Sequence, residues 1–284
     1  MFIQAAGFSQ PLFLFSELFS QGQTQSIQLL VDNSNTRTKF ALASTLPSKD
    51  LAPHGSPEAW RAFIPTAELT PETIQHTLAP HLSSLTTATI CSVVPAKEAV
   101  LLETLQALQL PVHSVSCRSR LPIQIDYPTP EQIGADRLAN ASALYPLSKP
   151  AIAIDFGTAV TFDVVSPQNK GTYLGGVIAP GLGALCQDLH QRTALLPEVE
   201  LDAPSSAIGK STKHAMQVGA IVGYRGLIRE ILSSLQKELS DPPLVIATGG
   251  DAPLVTSAMP EIESFDRDLT LKGILAISAL NHSS

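Results

Sequence analysis

From Ile27 onward, apolar and polar positions fall into short, regular runs. Residues 29–42 read LLVDNSNTRTKFAL: an apolar run, an aspartate, a polar turn and a second, partly apolar run. That outline predicts a strand over residues 27–32 paired in a β-hairpin with residues 39–43. Residues 46–80 carry several prolines separated by polar residues and are expected as loops and short helices. Residues 88–94 (ATICSVV) suit a short buried strand, 97–108 have helical spacing, and 112–115 read as another strand. Behind YPTP, residues 131–144 have helical spacing with Ile133, Leu138 and Leu144 apolar. Strands alternating with helices imply an α/β fold.

The pattern then starts again. AIAIDFGTAVTFDVV, from Ala151, repeats the outline of the first hairpin. Setting Asp32 on Asp155 puts Ser34 on Gly157 and Thr38 on Thr161. A turn over residues 167–171 leads into TYLGGVIAP, followed by a helix at about 182–195 and a longer one at about 212–239. PLVIATGGDAPL reads as a strand, a glycine turn and a helix start. The chain therefore reads as two similar halves that meet near Pro150.

Two strand–Asp–turn units facing each other suit a nucleotide. A hairpin tip presents N–H groups to phosphate oxygens, and each carboxylate can hold a cation or its waters. The Gly249–Gly250 turn would let the backbone pass close to a base or ribose. Asp136 and Arg137, adjacent in IGADR, do not share a helix face. A carboxylate there can orient a hydroxyl nucleophile, and a guanidinium can bind a substrate carboxylate through two hydrogen bonds. Gly209-Lys210-Ser211 resembles the tail of a phosphate-binding GxxxxGK[ST] loop. The first glycine is missing, because residue 204 is proline, and VELDAPSSA makes a poor preceding strand.

Composition narrows the partners. With 44% hydrophobic residues, the 284-residue chain can bury a sizeable core. A net charge of −7, only 18 Lys+Arg and no basic run argue against nucleic acid or an anionic membrane as the main partner. Cys91, Cys117 and Cys186 form no CxxC pair, so neither disulfides nor zinc are expected, and a reduced cytoplasmic setting fits. Residues 1–26 contain no Lys or Arg, and Glu17 interrupts their apolar run. They are expected as a poorly ordered extension rather than a secretion signal or membrane span.

Taken in order, VDNSNT, YPTPEQIGADRLANA, AIDFGTAVTFDV, YLGGVIAPGL, RTALLP, IGKST with AMQVGAIVGYRGLI, and VIATGGDAPL resemble the type III pantothenate kinases. These enzymes belong to the acetate and sugar kinase/Hsp70/actin superfamily. The resemblance implies two similar ribonuclease H-like (actin-like ATPase) domains, over residues 27–149 and 150–284, with a central cleft. It implies phosphorylation of pantothenate, the entry step of coenzyme A synthesis, with ATP as donor. Asp32, Asn33, Ser34, Asn35, Thr36, Arg37, Thr38 and Lys39 match the first phosphate loop, and Thr158 the second. Asp155 matches the position that binds a monovalent cation (potassium or ammonium), needed beside magnesium. Tyr127, Gly134, Ala135, Asp136, Arg137 and Thr212 fall on pantothenate-contacting positions, with Asp136 as the base. A homodimer is implied as well.

One position departs from the resemblance: Ser34 stands where the family usually has glycine. Serine adds a Cβ to a tip that would need positive φ or a close phosphate approach, although its hydroxyl can donate a hydrogen bond. Two rival readings follow from the same residues. One is a kinase of another small hydroxy substrate; the other is a non-catalytic regulatory relative such as the Bvg accessory factor group.

Overall fold

The computed structural model describes residues 27–44 and 60–282; the expected extension over residues 1–26 lies outside them. In chain order the elements are β1 (Ile27–Asn33), β2 (Arg37–Ser44), β3 (Arg61–Pro65), α1 (Pro71–Leu78), β4 (Leu85–Ser92), α2 (Pro95–Ala107) and β5 (Val112–Ser114). Next come β6 (Gln124–Ile125), α3 (Ala135–Ala143), β7 (Ala151–Phe156), β8 (Ala159–Ser166), β9 (Thr172–Pro180) and α4 (Leu182–Arg192). The last are α5 (Thr212–Glu238), β10 (Leu244–Thr248), α6 (Ala252–Thr256), β11 (Ser264–Phe265) and α7 (Leu269–Asn281).

The two halves share one topology. The first sheet runs β3-β2-β1-β4-β5, and the second runs β11-β10-β7-β8-β9 with β6 added beside β9. In each, three antiparallel strands are joined by two parallel ones, β1–β4–β5 in the first and β7–β10–β11 in the second. The repeat expected from the two aspartate hairpins is thus a repeat of whole ribonuclease H-like sheets. The expected boundary near Pro150 falls between α3 and β7. The chain crosses it in both directions, because β6 joins the second sheet and α7 packs on the first.

Why the central strands read as apolar runs rather than alternating patterns is clear from the layers. Leu29, Val31, Phe40 and Leu42 face an outer core with α1 and α2, whereas Leu30, Ala41 and Ala43 face α3 and α7. In the second sheet Ile152, Ile154 and Phe162 pack under α4, α5 and α6, whereas Ala151, Ala153 and Val165 face α3. Strands covered on both faces bury every side chain. α3 and α7 therefore form a middle layer shared by both sheets.

Three sequence expectations need correction. β3 lies in the stretch expected to hold only loops and short helices; it is an edge strand paired with β2 alone. The helix expected from residue 131 begins at Ala135, because Ile133 and Gly134 are extended (ψ 123° and 142°) and only a short 3-10 turn precedes them. The proposed one-to-one match of the hairpins also slips. Asp32 pairs with Lys39, seven positions on, but Asp155 pairs with Thr161, six positions on, so Thr161 holds the register place of Lys39 rather than Thr38. Among the described residues, no helix is long and apolar enough to cross a membrane.

Candidate active site

The parallel strands β1 and β7 end on the same side of the molecule, where open α/β sheets bind ligands. The first tip is closed by Ser34, whose backbone N–H and hydroxyl both donate to the Arg37 carbonyl, at 3.1 and 2.9 Å. Thr66, just past the end of β3, clamps the tip: its hydroxyl donates to the Ser34 carbonyl at 2.7 Å and its N–H to the Thr36 carbonyl at 3.0 Å. Asn33 and Thr38 do not face the cleft. Both are buried; Asn33 Nδ2 donates to Thr38 Oγ1 at 2.7 Å, and Asn33 Oδ1 accepts from Ser92 Oγ at 2.7 Å. They hold the shape of the tip and leave Asn35, Thr36 and Arg37 exposed at its end.

Ser34 is not strained. Among the described non-glycine residues, positive φ occurs only at Gln109 and Asn169. The conformational need for glycine anticipated from the sequence is therefore absent, and the serine hydroxyl is engaged within the turn. Ser34→Gly should loosen the tip by about one neutral hydrogen bond, ~1 kcal/mol, and so raise the KM for ATP roughly fivefold. The KM for the second substrate should stay within about twofold. An ATP KM that is unchanged in steady-state kinetics would remove the tip from the nucleotide site.

The second tip meets the first directly. Thr158 Oγ1 lies 3.0 Å from Thr36 Oγ1, a hydrogen bond between residues from different sheets. Under the tips lie three carboxylates from three elements. Asp32 ends β1 and pairs with Lys39 Nζ at 3.0 Å; this carboxylate raises the Lys39 pKa, against a smaller opposing effect of burial. Asp155 ends β7, and burial followed by the Asp32 charge pushes it up to about 6, with Lys39 opposing. Asn140 Nδ2 donates to Asp155 Oδ2 at 3.4 Å and is itself held by Thr270, whose hydroxyl donates to Asn140 Oδ1 at 2.8 Å. Gly249, at φ 94°, lies so close that a Cβ there would fall 2.6 Å from Asp155 Oδ1 and 2.5 Å from the Phe156 carbonyl. The Gly249–Gly250 turn thus borders the same carboxylate.

Asp136 is the third. With Gly134 as N-cap and Ala135 as the first helical residue, it sits in the first turn of α3. Burial raises its pKa, the Arg137 N–H at 2.8 Å from Oδ1 lowers it, and the Asp32 charge raises it again. With the Asp32 charge raising both Asp136 and Asp155, the three carboxylates are poised to accept positive charge. Among the described residues no three His, Cys, Asp or Glu side chains form a ready-made metal cluster. An all-oxygen donor set still suits hard cations. Magnesium commonly takes one or two carboxylates and completes its shell with phosphate and water.

Arg137 points the other way. It is buried, with Nε 2.7 Å from Asp163 Oδ1 and Nη2 donating to the Phe162 carbonyl at 3.2 Å. The Tyr173 hydroxyl donates to the same Asp163 oxygen at 3.2 Å, and the Tyr173 ring lies 6.4 Å from that of Tyr127. The structure thereby brings Tyr127, Gly134, Ala135, Asp136 and Arg137 together at the end of α3. It does not bring Thr212 there: Thr212 opens α5 behind the N-cap Ser211 and is exposed, with no hydrogen bond to the cleft among the described residues. The GKST segment is accordingly a helix cap rather than a phosphate loop. Sequence reasoning missed Asn140, Asp163 and Tyr173. The signal for Asp163 was an acidic residue inside an otherwise apolar strand, FDVV.

A family model described as type III pantothenate kinase matches residues 28–234. The type III pantothenate kinase of Akkermansia muciniphila is 48% identical over 255 residues, covering 89% of this chain and 98% of that protein. That of Methylacidiphilum infernorum is 40% identical over 255 residues, covering 89% and 88%. Two solved structures share the fold. A conserved Baf family transcriptional activator from Campylobacter jejuni has a TM-score of 0.51 at 18% identity, over 88% of this chain and 96% of that one. The ethanolamine utilization protein EutJ from Carboxydothermus hydrogenoformans has a TM-score of 0.52 at 14% identity, over 90% of each chain.

Proposed function

The chain belongs to the type III pantothenate kinase family, and from that premise we propose that the cleft between its two sheets transfers the γ-phosphoryl group of ATP to the 4′-hydroxyl of pantothenate. The reaction opens coenzyme A biosynthesis. The observation that carries the assignment is the 3.0 Å contact between Thr36 and Thr158, which joins the two hairpin tips above Asp32, Asp136 and Asp155.

In this reading Asp32 to Lys39 and Thr158 form the nucleotide side, with Asn35, Thr36 and Arg37 offering donors to the phosphates while Asn33, Ser34 and Thr38 keep the loop in shape. Tyr127, Gly134, Ala135, Asp136 and Arg137 form the pantothenate side, whereas Thr212, exposed at the start of α5, stands apart from it. Arg137 binds the substrate carboxylate, and Asp136 orients the hydroxyl for in-line attack. Because phosphoryl transfer is loose, Asp136 acts more by alignment than by complete removal of the proton. Asp32 and Asp155 are the oxygen donors for cations, with Asp155 assigned to potassium or ammonium. Bound magnesium supplies charge neutralisation at the phosphates.

We place the protein in the cytoplasm as a homodimer, with the second half as the contact face. That half exposes Ile178, Leu189, Ile208 and Val222 and carries an apolar groove of about 600 Å³ between α4 and α5, lined in part by Leu189. The two halves around the cleft serve as the two domains, at residues 27–149 and 150–284.

Incubation of the purified protein with ATP, magnesium and pantothenate should yield phosphopantothenate by mass spectrometry. The rate should rise when sodium is replaced by potassium or ammonium. Hydrolysis of ATP without a phosphorylated product would sink the kinase reading, and equal rates in every monovalent salt would remove the role given to Asp155.

A further inference from the structure

Asp163 has no solvent exposure and stands on β8 between Phe162 and Val164, both also buried. Its Oδ1 accepts from Arg137 Nε at 2.7 Å and from the Tyr173 hydroxyl at 3.2 Å, whereas its Oδ2 has no hydrogen-bond partner among the described residues. An arginine–carboxylate pair built only for mutual neutralisation would engage both oxygens, fork on fork. Here the guanidinium is gripped along one edge instead, Nε by Asp163 and Nη2 by the Phe162 carbonyl. The Nη1 donors remain unpaired among the described residues. A one-sided grip fixes the plane of the guanidinium and leaves the opposite edge for a second carboxylate.

We propose that Asp163 is a positioning residue for pantothenate: it holds Arg137 by its inner edge so that the outer edge meets the substrate carboxylate. This rests on the reading that Arg137 binds that carboxylate, and adds what aims it. Tyr173 extends the same device. Its hydroxyl is anchored on Asp163, its ring centroid lies 5.8 Å from the Arg137 guanidinium carbon, and the same ring lies 6.4 Å from that of Tyr127. One buried carboxylate therefore orders Arg137 directly and, through Tyr173, the neighbourhood of Tyr127. Burial pushes Asp163 up to about 7 even with Arg137 opposing, so the guanidinium it positions also favours its charged form.

Steady-state kinetics on the full chain test this. Asp163→Asn should raise the pantothenate KM about tenfold or more, with the ATP KM within about twofold. The decisive measurement repeats the substitution in an Arg137→Ala background, where it should add less than about twofold, because a residue that acts through Arg137 has nothing left to position. Additive effects would mean a general structural role and overturn the proposal. Tyr173→Phe keeps the ion pair and removes one hydrogen bond, so it should raise the pantothenate KM about threefold. If Asp163→Asn does not fold, Tyr173→Phe decides alone, and an unchanged pantothenate KM overturns the idea. Should Arg137→Ala leave the pantothenate KM unaltered, the underlying assignment fails and the proposal goes with it. If Arg137→Ala raises it but Asp163→Asn alters both KM values equally or neither, only the proposal falls.

Discussion

Replacing Asp136 by asparagine should lower kcat by roughly 10²–10⁴-fold, the range for loss of a positioned general base, with modest change in either KM. The side chain keeps its shape, so the α3 start should stay intact and only the charge and proton-accepting capacity are lost. Stability offers an internal control. Burial and the Asp32 charge raise the Asp136 pKa. A carboxyl raised in the folded state opposes folding once it is ionised, at pH above its unfolded value, and the penalty is relieved as pH falls. Asparagine removes that penalty, so the melting temperature at neutral pH should not drop. In the parent enzyme kcat should fall on the acid side as Asp136 takes up its proton, at a pH above the ordinary aspartate range. Near-normal kcat in the variant would make Asp136 a bystander at the helix end.

Gly176→Ala should be the most damaging small change in the fold. A Cβ at this position would fall 1.6 Å from the Phe162 carbonyl oxygen and 2.9 Å from Arg137 Nη2. The carbonyl belongs to the β8–β9 ladder, where Asp163 faces Gly176 and Phe162 faces Val177, and it also accepts from Arg137. It cannot yield without opening the ladder or displacing the guanidinium. Overpacking commonly costs 1–3 kcal/mol, and this contact belongs at about 3 kcal/mol or more. A loss of that size corresponds to roughly 6–12 °C in melting temperature for a chain of this size class. Any folded variant should also show a raised pantothenate KM. Gly226→Ala is the contrast: it lies within α5 with nothing near its Cβ position, and alanine there should gain up to about 1 kcal/mol of helix propensity. Circular dichroism melts of both variants check the pair; an undisturbed Gly176→Ala protein would contradict the β8–β9 packing.

Much of the fold was legible because its signals are local. An apolar run, an aspartate and a polar turn specify a hairpin within about a dozen residues, and the second hairpin repeats the outline. Strand β3 was not legible, since RAFIP carries no strong pattern and gains its order from pairing with β2. The start of α3 was misplaced because apolar spacing continues through Ile133, while the backbone at Ile133 and Gly134 is extended. Asn33 and Thr38 looked like ligand donors by position, but the pleat turns them inward, where they bond each other.

By itself the sequence determined most element types, the duplicated aspartate hairpins and the residues available for phosphate and cation chemistry. Each of these depends on neighbours a few positions apart. Only the tertiary structure decided which charges meet. Asp32, Asp136 and Asp155 come from β1, α3 and β7, and the Asp32 charge raises the other two only because the sheets sandwich the shared helix layer. Arg137 turns from the adjacent Asp136 to a carboxylate 26 residues away, because α3 packs one face on the second sheet and Asp163 is the acid buried beneath it. Burial removes the water that would otherwise screen such charges, so their partners are chosen by packing rather than by proximity along the chain.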